Sequence, residues 1–170
     1  YHGFTNINDI RTVFWVLKRT DGASYYFILG DNNQAHFHPN TNKFWHSGHA
    51  HGNVKNGALA VNGSITNGIT ANIPDTMSVI SLRATGNVEA NSFSSDRNNG
   101  RYWKGDLAEL LIYNTALTDV EIQAVEGKLA WKWGLQNNLP PEHPHLANNP
   151  NFQVTHQGGA AASVTFYWGD

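Results

Sequence analysis

Along residues 12–19, TVFWVLKR, apolar side chains fall on both parities, the pattern of a central strand covered on both faces rather than an edge strand with one wet face. Thr20, Asp21 and Gly22 end the run, and residues 24–30, SYYFILG, read as its hairpin partner. GDNNQ at 30–34 is the next turn. AHFH at 35–38 and NKFWH at 42–46 read as short strands, and residues 57–70, GALAVNGSITNGIT, predict two more about an Asn62-Gly63 turn. Strand following strand in this way is the pattern of a meander.

Two longer runs come next, MSVISLRAT at 77–85 and GDLAELLIYN at 105–114. The polar loop between them, NSFSSDRNNGRYWKG, is long enough to carry function. A helix is predicted from Thr118: Thr118 as N-cap with Glu121 three residues on makes a capping box, and Ile122, Val125, Leu129 and Trp133 fall on one apolar stripe. Gly134 stands where a C′ glycine ends a helix, and the prolines at 140, 141 and 144 prevent continuation. Residues 139–162, rich in Pro, Asn, His and Gln, predict a linker or extended tail. SVTFYWGD at 163–170 predicts a terminal strand, the start of a following module. The domain itself is expected to span residues 1–138, all-β apart from the one helix packed on it.

Composition sharpens this picture. A chain of 170 residues makes one domain with a real core. Charged residues are 14% of the chain, the net charge is -2, and Lys and Arg are scattered, so nucleic acid and anionic membranes are not expected partners. No apolar run reaches the length of a membrane span, so no membrane insertion is expected. Cysteine is absent, which excludes disulfides, thiolate metal sites and cysteine nucleophiles. Asn-Gly pairs at 56–57, 62–63, 67–68 and 99–100 supply the positive φ angles of tight hairpins and reinforce the all-β reading. The chain opens on Tyr1 rather than Met, which suggests a piece of a longer protein.

Residues 105–144 carry a resemblance. A strand of the form G-x-(I/L)-A-E followed by two hydrophobic positions and (I/V)-Y-(N/D), then a capped helix ending K-W-G-L, then L-P-x-x-H-P, occurs at the C-terminal end of laminin G-like (concanavalin A-like) jelly-roll domains of large secreted bacterial proteins. Here Gly105, Leu107, Ala108, Glu109, Ile112, Tyr113, Asn114, Lys132, Trp133, Gly134, Leu135, Leu139, Pro140, His143 and Pro144 occupy those positions. Upstream, TVFWVLKRTDG resembles that family's first core strand, and VISLRATGNVEANSFSSDRNNGRYWKG its penultimate strand and loop. The family's usual opening segment, with an Asp-Ala or Asp-Ser pair and a W-x-D-x-S-G-x-G loop, has no counterpart in the sequence. The resemblance implies a two-sheet antiparallel jelly-roll β-sandwich, located outside the cell or at its surface. It implies a non-catalytic binding or adhesion module whose partners are a glycan or cell-surface protein and the neighbouring domains of the parent chain. It equally allows a structural or assembly domain of a surface filament, layer, adhesin or virion with no small ligand.

Candidate chemistry follows from these expectations. Sugar recognition needs aromatic platforms flanked by polar groups, and Trp103, Tyr102, Arg101 and Arg97 in the long loop, with Trp45 and Tyr25, supply such types. Trp15, Trp131 and Trp133 lie in core-like patterns instead. Calcium, the usual ion of the resembled family and the one cofactor it suggests, needs oxygen ligands. Asp31 with Asn33, and Asp96 with Asn98, are the available clusters, and the same residue types also serve as ordinary Asx turns. The alternative metal set is His36, His38, His49 and His51, with His46 among them, because alternation in a strand would place His36 and His38 on one face. No carboxylate lies between Asp31 and Asp75 to orient those rings, and the segment also reads as a solvent-facing strand and loop. Glycoside hydrolysis requires two carboxylates across a cleft. No Glu-x-Asp-x-x-Glu string occurs, Glu109 reads as a structural acceptor near the helix start, and Glu121 and Glu126 lie on the helix. A G-x-S-x-G elbow is absent as well. No catalytic residue is assigned, and no enzymatic activity is expected.

Overall fold

Val13, Trp15 and Leu17 point to one side of a sheet and Phe14 and Val16 to the other, all five exposed by 1% or less. The double burial expected of this run is therefore present, in a computed structural model that describes residues 2–20, 27–31, 36–94 and 102–150. The strands are β1 (His2–Arg19), β2 (Ala58–Val61), β3 (Ser64–Thr66), β4 (Ser78–Phe93) and β5 (Gly105–Tyr113). The helices are α1 (Gly52–Lys55) and α2 (Asp119–Lys132), followed by a 3-10 turn at Gln136–Asn138.

All five strands form one antiparallel sheet in the order β3-β2-β4-β1-β5. This is not the expected meander. β1 sits between β4 and β5, because a run with no polar parity is hidden only where it is hydrogen-bonded on both edges and covered on both faces. β1 and β4 are also longer than their apolar runs suggest, and register shifts between Gly3 and Thr12 mark where the shared ladder bends. β2 and β3 form the expected hairpin, with Asn62 (φ 50°) and Gly63 (φ 78°) taking the two left-handed positions of its turn.

Two apolar clusters flank the sheet. The larger gathers Val13, Trp15, Leu17, Ile80, Leu82, Leu110 and Ile112 beneath Phe37, Phe44, Trp45 and Val54. Trp15 Nε1 donates to Ile28 O at 2.8 Å, and Phe37 packs edge-on to both Trp15 and Trp45. The segments read as strands at 35–38 and 42–46 are irregular chain with isolated bridges at Asn40↔Lys43 and Lys43↔Asn72, and Gly30 makes one bridge to Ser92. Residues 21–26 and 35 lie outside the described residues. Thus among the described residues a single sheet is present, and irregular chain covers it where a sandwich would place a second one.

The smaller cluster packs Phe14, Val16 and Val79 against Leu117, Val125, Leu129, Ala130 and Leu139 of α2 and its flanks. Thr118 Oγ1 accepts from Glu121 N while Glu121 Oε2 accepts from Thr118 N at 2.7 Å, the expected capping box. At the other end Leu135 N donates to Ala130 O and Gly134 N to Trp131 O, with Gly134 at φ 70°, a Schellman motif. Trp133 departs from the expected stripe: it is 40% exposed, and its indole nitrogen donates to Glu109 Oε2 at 2.7 Å. Lys132 Nζ stands 2.9 Å from the same oxygen, so Glu109 serves the end of the helix and not its start. Residues 139–146, expected as part of a linker, instead pack on the domain. Leu139 and His143 are buried, Leu146 joins the smaller cluster, and Trp131 Nε1 donates to His145 O at 2.9 Å. The terminal strand predicted at 163–170 lies outside the described residues.

Gly68 is constrained by contact with a core aromatic. A Cβ at Gly68 would overlap Cδ1 and Nε1 of Trp45, whose backbone N–H also donates to Gly68 O at 2.8 Å. Gly68→Ala should therefore lower unfolding stability in urea by about 1–3 kcal/mol, the usual range for overpacking. Wild-type stability in that variant would contradict the packing described.

Candidate functional site

β2, the Asn62-Gly63 turn, β4 and α2 enclose a cleft of about 300 Å³. Its floor follows from strand register. Ala58 lies opposite Arg83 and Ala60 opposite Ser81, so two methyl groups stand where larger side chains would fill the space. The far wall is one face of α2: Asp119, Ile122, Gln123 and Glu126 recur at helical spacing. Ile65, 78% exposed on the edge strand β3, completes the apolar rim.

Glu126 is 2% exposed. Ser81 Oγ lies 2.5 Å from its Oε1, and His143 Nε2 lies 3.5 Å from its Oε2. His143 Nδ1 accepts from His145 N at 3.2 Å, which in a neutral ring leaves the proton on Nε2, facing Glu126. Burial pushes the Glu126 carboxyl up from 4.5 to about 7, against the opposing effect of the Ser81 hydrogen bond. Burial, helped by His145 and opposed by Glu142, holds His143 below its ordinary 6.5. Around neutral pH the carboxyl therefore exchanges its proton while the imidazole stays neutral.

Close approach of backbone makes this arrangement possible. A Cβ at Gly63 would stand 2.7 Å from His143 Cδ2, and one at Gly127 would overlap His145 Cβ. Glycine inside a helix costs about 1 kcal/mol relative to alanine, and here it lets residues 139–146 lie against α2. Arg83 Nη1 uses both of its hydrogens, one to Leu117 O at 2.8 Å and one to Asp119 Oδ1 at 2.8 Å. The donors on Nη2 and Nε stay available to a guest.

The residues singled out from sequence lie elsewhere. Trp103 and Trp45, expected as exposed platforms, are 9% and 1% exposed and belong to the larger core, Trp103 edge-on to Phe93. Tyr102 is 45% exposed and is not part of the cleft. Tyr25, Arg97 and Arg101 lie outside the described residues, as do Asn33, Asp96 and Asn98 of the calcium candidates. Asp31 is buried at 1% exposure.

The histidines do gather, but not on a strand and not wholly in solvent. Ring centroids of His46 and His49 are 4.3 Å apart, and those of His38 lie 5.5 and 5.3 Å from them; His36 and His51 form a second pair at 4.5 Å. His38, 5% exposed, points Nδ1 at Pro39 O. His36, His46 and His51 each use Nδ1 to accept backbone N–H groups, from Glu89, from Gly48 and His49, and from Asn53. In a neutral ring this leaves the proton on Nε2, so these three offer a metal no lone pair in this arrangement. Burial and the neighbouring His51 hold His36 below its ordinary 6.5, which favours that neutral ring. Among the described residues no three His, Asp or Glu side chains are grouped to hold a metal ion.

Sequence pattern does not single out Ser81, Arg83, Gln123, Glu126 or His143 as a site. One signal is present: Glu126 lies four residues after Ile122 and three before Leu129, a carboxyl inside the apolar stripe. The chain matches no family model, no curated protein and no solved structure. Among the described residues no helix is long and apolar enough to cross a membrane.

The buried carboxyl makes stability depend on pH. Glu126 titrates higher in the folded chain than its ordinary 4.5, so its contribution is complete below 4.5 and is lost as pH rises through about 7. Lowered His143 acts in the opposite sense, its contribution being present above 6.5 and lost in acid. Glu126→Gln isolates the first effect: relative to wild type, the variant should gain about 3 kcal/mol in urea-unfolding stability between acid and alkaline pH. A constant difference between the two proteins would contradict it.

Proposed function

We propose that the chain is a non-catalytic binding module that takes a saccharide unit in the cleft between β2, β4 and α2. The observation that carries this reading is the mixture of surfaces there. Ala58, Ala60, Ile65 and Ile122 offer apolar area to the C–H faces of a sugar ring, while Arg83, Gln123, Asp119 and Ser81 offer donors and acceptors to its hydroxyls. At about 300 Å³ the cleft falls at the lower end of small-ligand sites, the scale of a terminal sugar rather than a long chain. Aliphatic walls take the part that aromatic platforms were expected to play.

The resemblance of residues 105–144 to laminin G-like domains supports the same class of function. On this reading the described sheet is one layer of a jelly-roll sandwich displayed outside the cell, where a cell-surface glycan or glycoprotein is the partner.

The test is calorimetry of the 170-residue chain with methyl glycosides of glucose, galactose, N-acetylglucosamine and glucuronic acid, followed by recovery of the glycoside. At least one should bind and be recovered intact. Arg83→Ala and Gln123→Ala should each weaken binding by roughly ten-fold, the loss of one or two good hydrogen bonds, while melting as cooperatively as wild type. Binding unaffected by both substitutions would place the ligand elsewhere, and release of free sugar would overturn the non-catalytic reading.

A further inference from the structure

We propose that Glu126 is a proton-operated switch that decides whether Ser81 presents a hydrogen-bond donor or only acceptors to the cleft. The switch is a property of the unliganded chain; its effect on ligand affinity rests on the saccharide reading above.

Counting hydrogens shows how it works. A carboxylate can only accept, so with Glu126 ionised the 2.5 Å contact must run from Ser81 O–H to Oε1. The one hydrogen on Ser81 is then committed, and the hydroxyl shows the cleft lone pairs alone. When Glu126 takes up a proton, the neighbour of Oε2 is His143 Nε2, 3.5 Å away, which carries a hydrogen and cannot accept another, whereas the neighbour of Oε1 is the Ser81 hydroxyl, which can, so the acid hydrogen belongs on Oε1. The same contact then runs in reverse, from Glu126 to Ser81, and the serine hydrogen becomes available to an oxygen of a guest. No atom has to move far, because the reversal needs only rotation of one hydroxyl.

Few other groups interfere. Glu126 faces Ser81 from β4 and His143 from the segment after α2, and among the described residues β2, β3 and the turn between them bring Ala58, Ala60, Gly63 and Ile65, none of them titratable, to the cleft. His145 and Glu142 act on His143 with opposite sign, and Arg83 and Asp119 are paired with each other. Burial places the exchange at about 7, where modest changes of pH reverse it. Gln in place of Glu126 would set its oxygen toward His143 and its amide toward Ser81, which fixes the acid-form arrangement at every pH.

The deciding experiment is a carbon-detected NMR titration of the glutamate carboxyls in the unliganded 170-residue chain. In wild type the Glu126 signal should titrate near 7, and Ser81→Ala should move that midpoint upward, since a donor to the carboxylate has gone. The His143 ring signals should follow the same transition and lose it in Glu126→Gln, a readout that does not depend on Ser81→Ala folding. A Glu126 midpoint near the ordinary 4.5, or an unchanged one in well-folded Ser81→Ala, overturns the switch. A second arm repeats the calorimetry with the methyl glycosides across the Glu126 midpoint. Affinity should fall several-fold as pH rises in wild type and stay at its acid value in Glu126→Gln. If no glycoside binds, the saccharide reading fails and the titration still decides the switch; if a glycoside binds equally at all pH values, Ser81 does not report Glu126 to the ligand and the functional part of the proposal is overturned.

Discussion

Six consecutive side chains of β1, Thr12 to Leu17, are removed from solvent, and the rest of the described structure depends on that constraint. A strand apolar on both parities requires a layer on each face. The face of Trp15 is covered by aromatic irregular chain carrying Phe37, Phe44 and Trp45, and the face of Phe14 by α2. Burying a large apolar side chain contributes about 1.5–3 kcal/mol, so this one segment outweighs any single polar contact in the molecule. The one buried polar member of the run is fully hydrogen-bonded, since Thr12 Oγ1 donates to Thr115 O and accepts from Leu117 N. That hydroxyl ties the β5–α2 connection to β1 and sets where the capped helix begins.

The cleft is a consequence of that placement. Once α2 lies across β1 and β4, the outer strands β2 and β3 are covered only as far as the side chains between them allow, and Ala58 and Ala60 leave a gap. The segment after the Schellman turn then lies back along α2, admitted by Gly127 and Gly63, and brings His143 to Glu126. A carboxyl that would be a solvated helix residue elsewhere is thereby desolvated at the edge of a cleft, with a hydroxyl as its hydrogen-bond partner and an imidazole beside it. Packing, rather than any local motif, creates the chemistry of this site.

Local signals in the sequence identify local structure well. Thr118 and Glu121 mark the helix start, Gly134 its end, Asn62-Gly63 the hairpin, and the unbroken apolar run at 12–19 a doubly covered strand. Strand order is less legible, because insertion of β1 between β4 and β5 is a pairing across some 90 residues, as in Trp15↔Leu110, that no local window contains. Aromatic loops such as NKFWH look like strands in sequence, since a short aromatic run marks burial whether or not a ladder forms. The site is least visible. A polar loop is expected to expose its aromatics, whereas Trp103 closes the core against Phe93. Glu126 in the helical stripe and Ser81 between Ile80 and Leu82 are polar residues inside apolar patterns. Such interruptions point to buried hydrogen-bonded pairs, but which residues meet is decided by the fold.

Whether the β2–β4–α2 cleft is where this chain binds its ligand is tested most directly by chemical-shift mapping of the isotope-labelled chain during a titration with the methyl glycosides. Perturbations should concentrate at the amides of Ala60, Gly63, Ser81 and Gln123. Perturbations confined to Tyr102 or Trp133, or saturable binding that leaves those four amides unmoved, would contradict the assignment of the cleft.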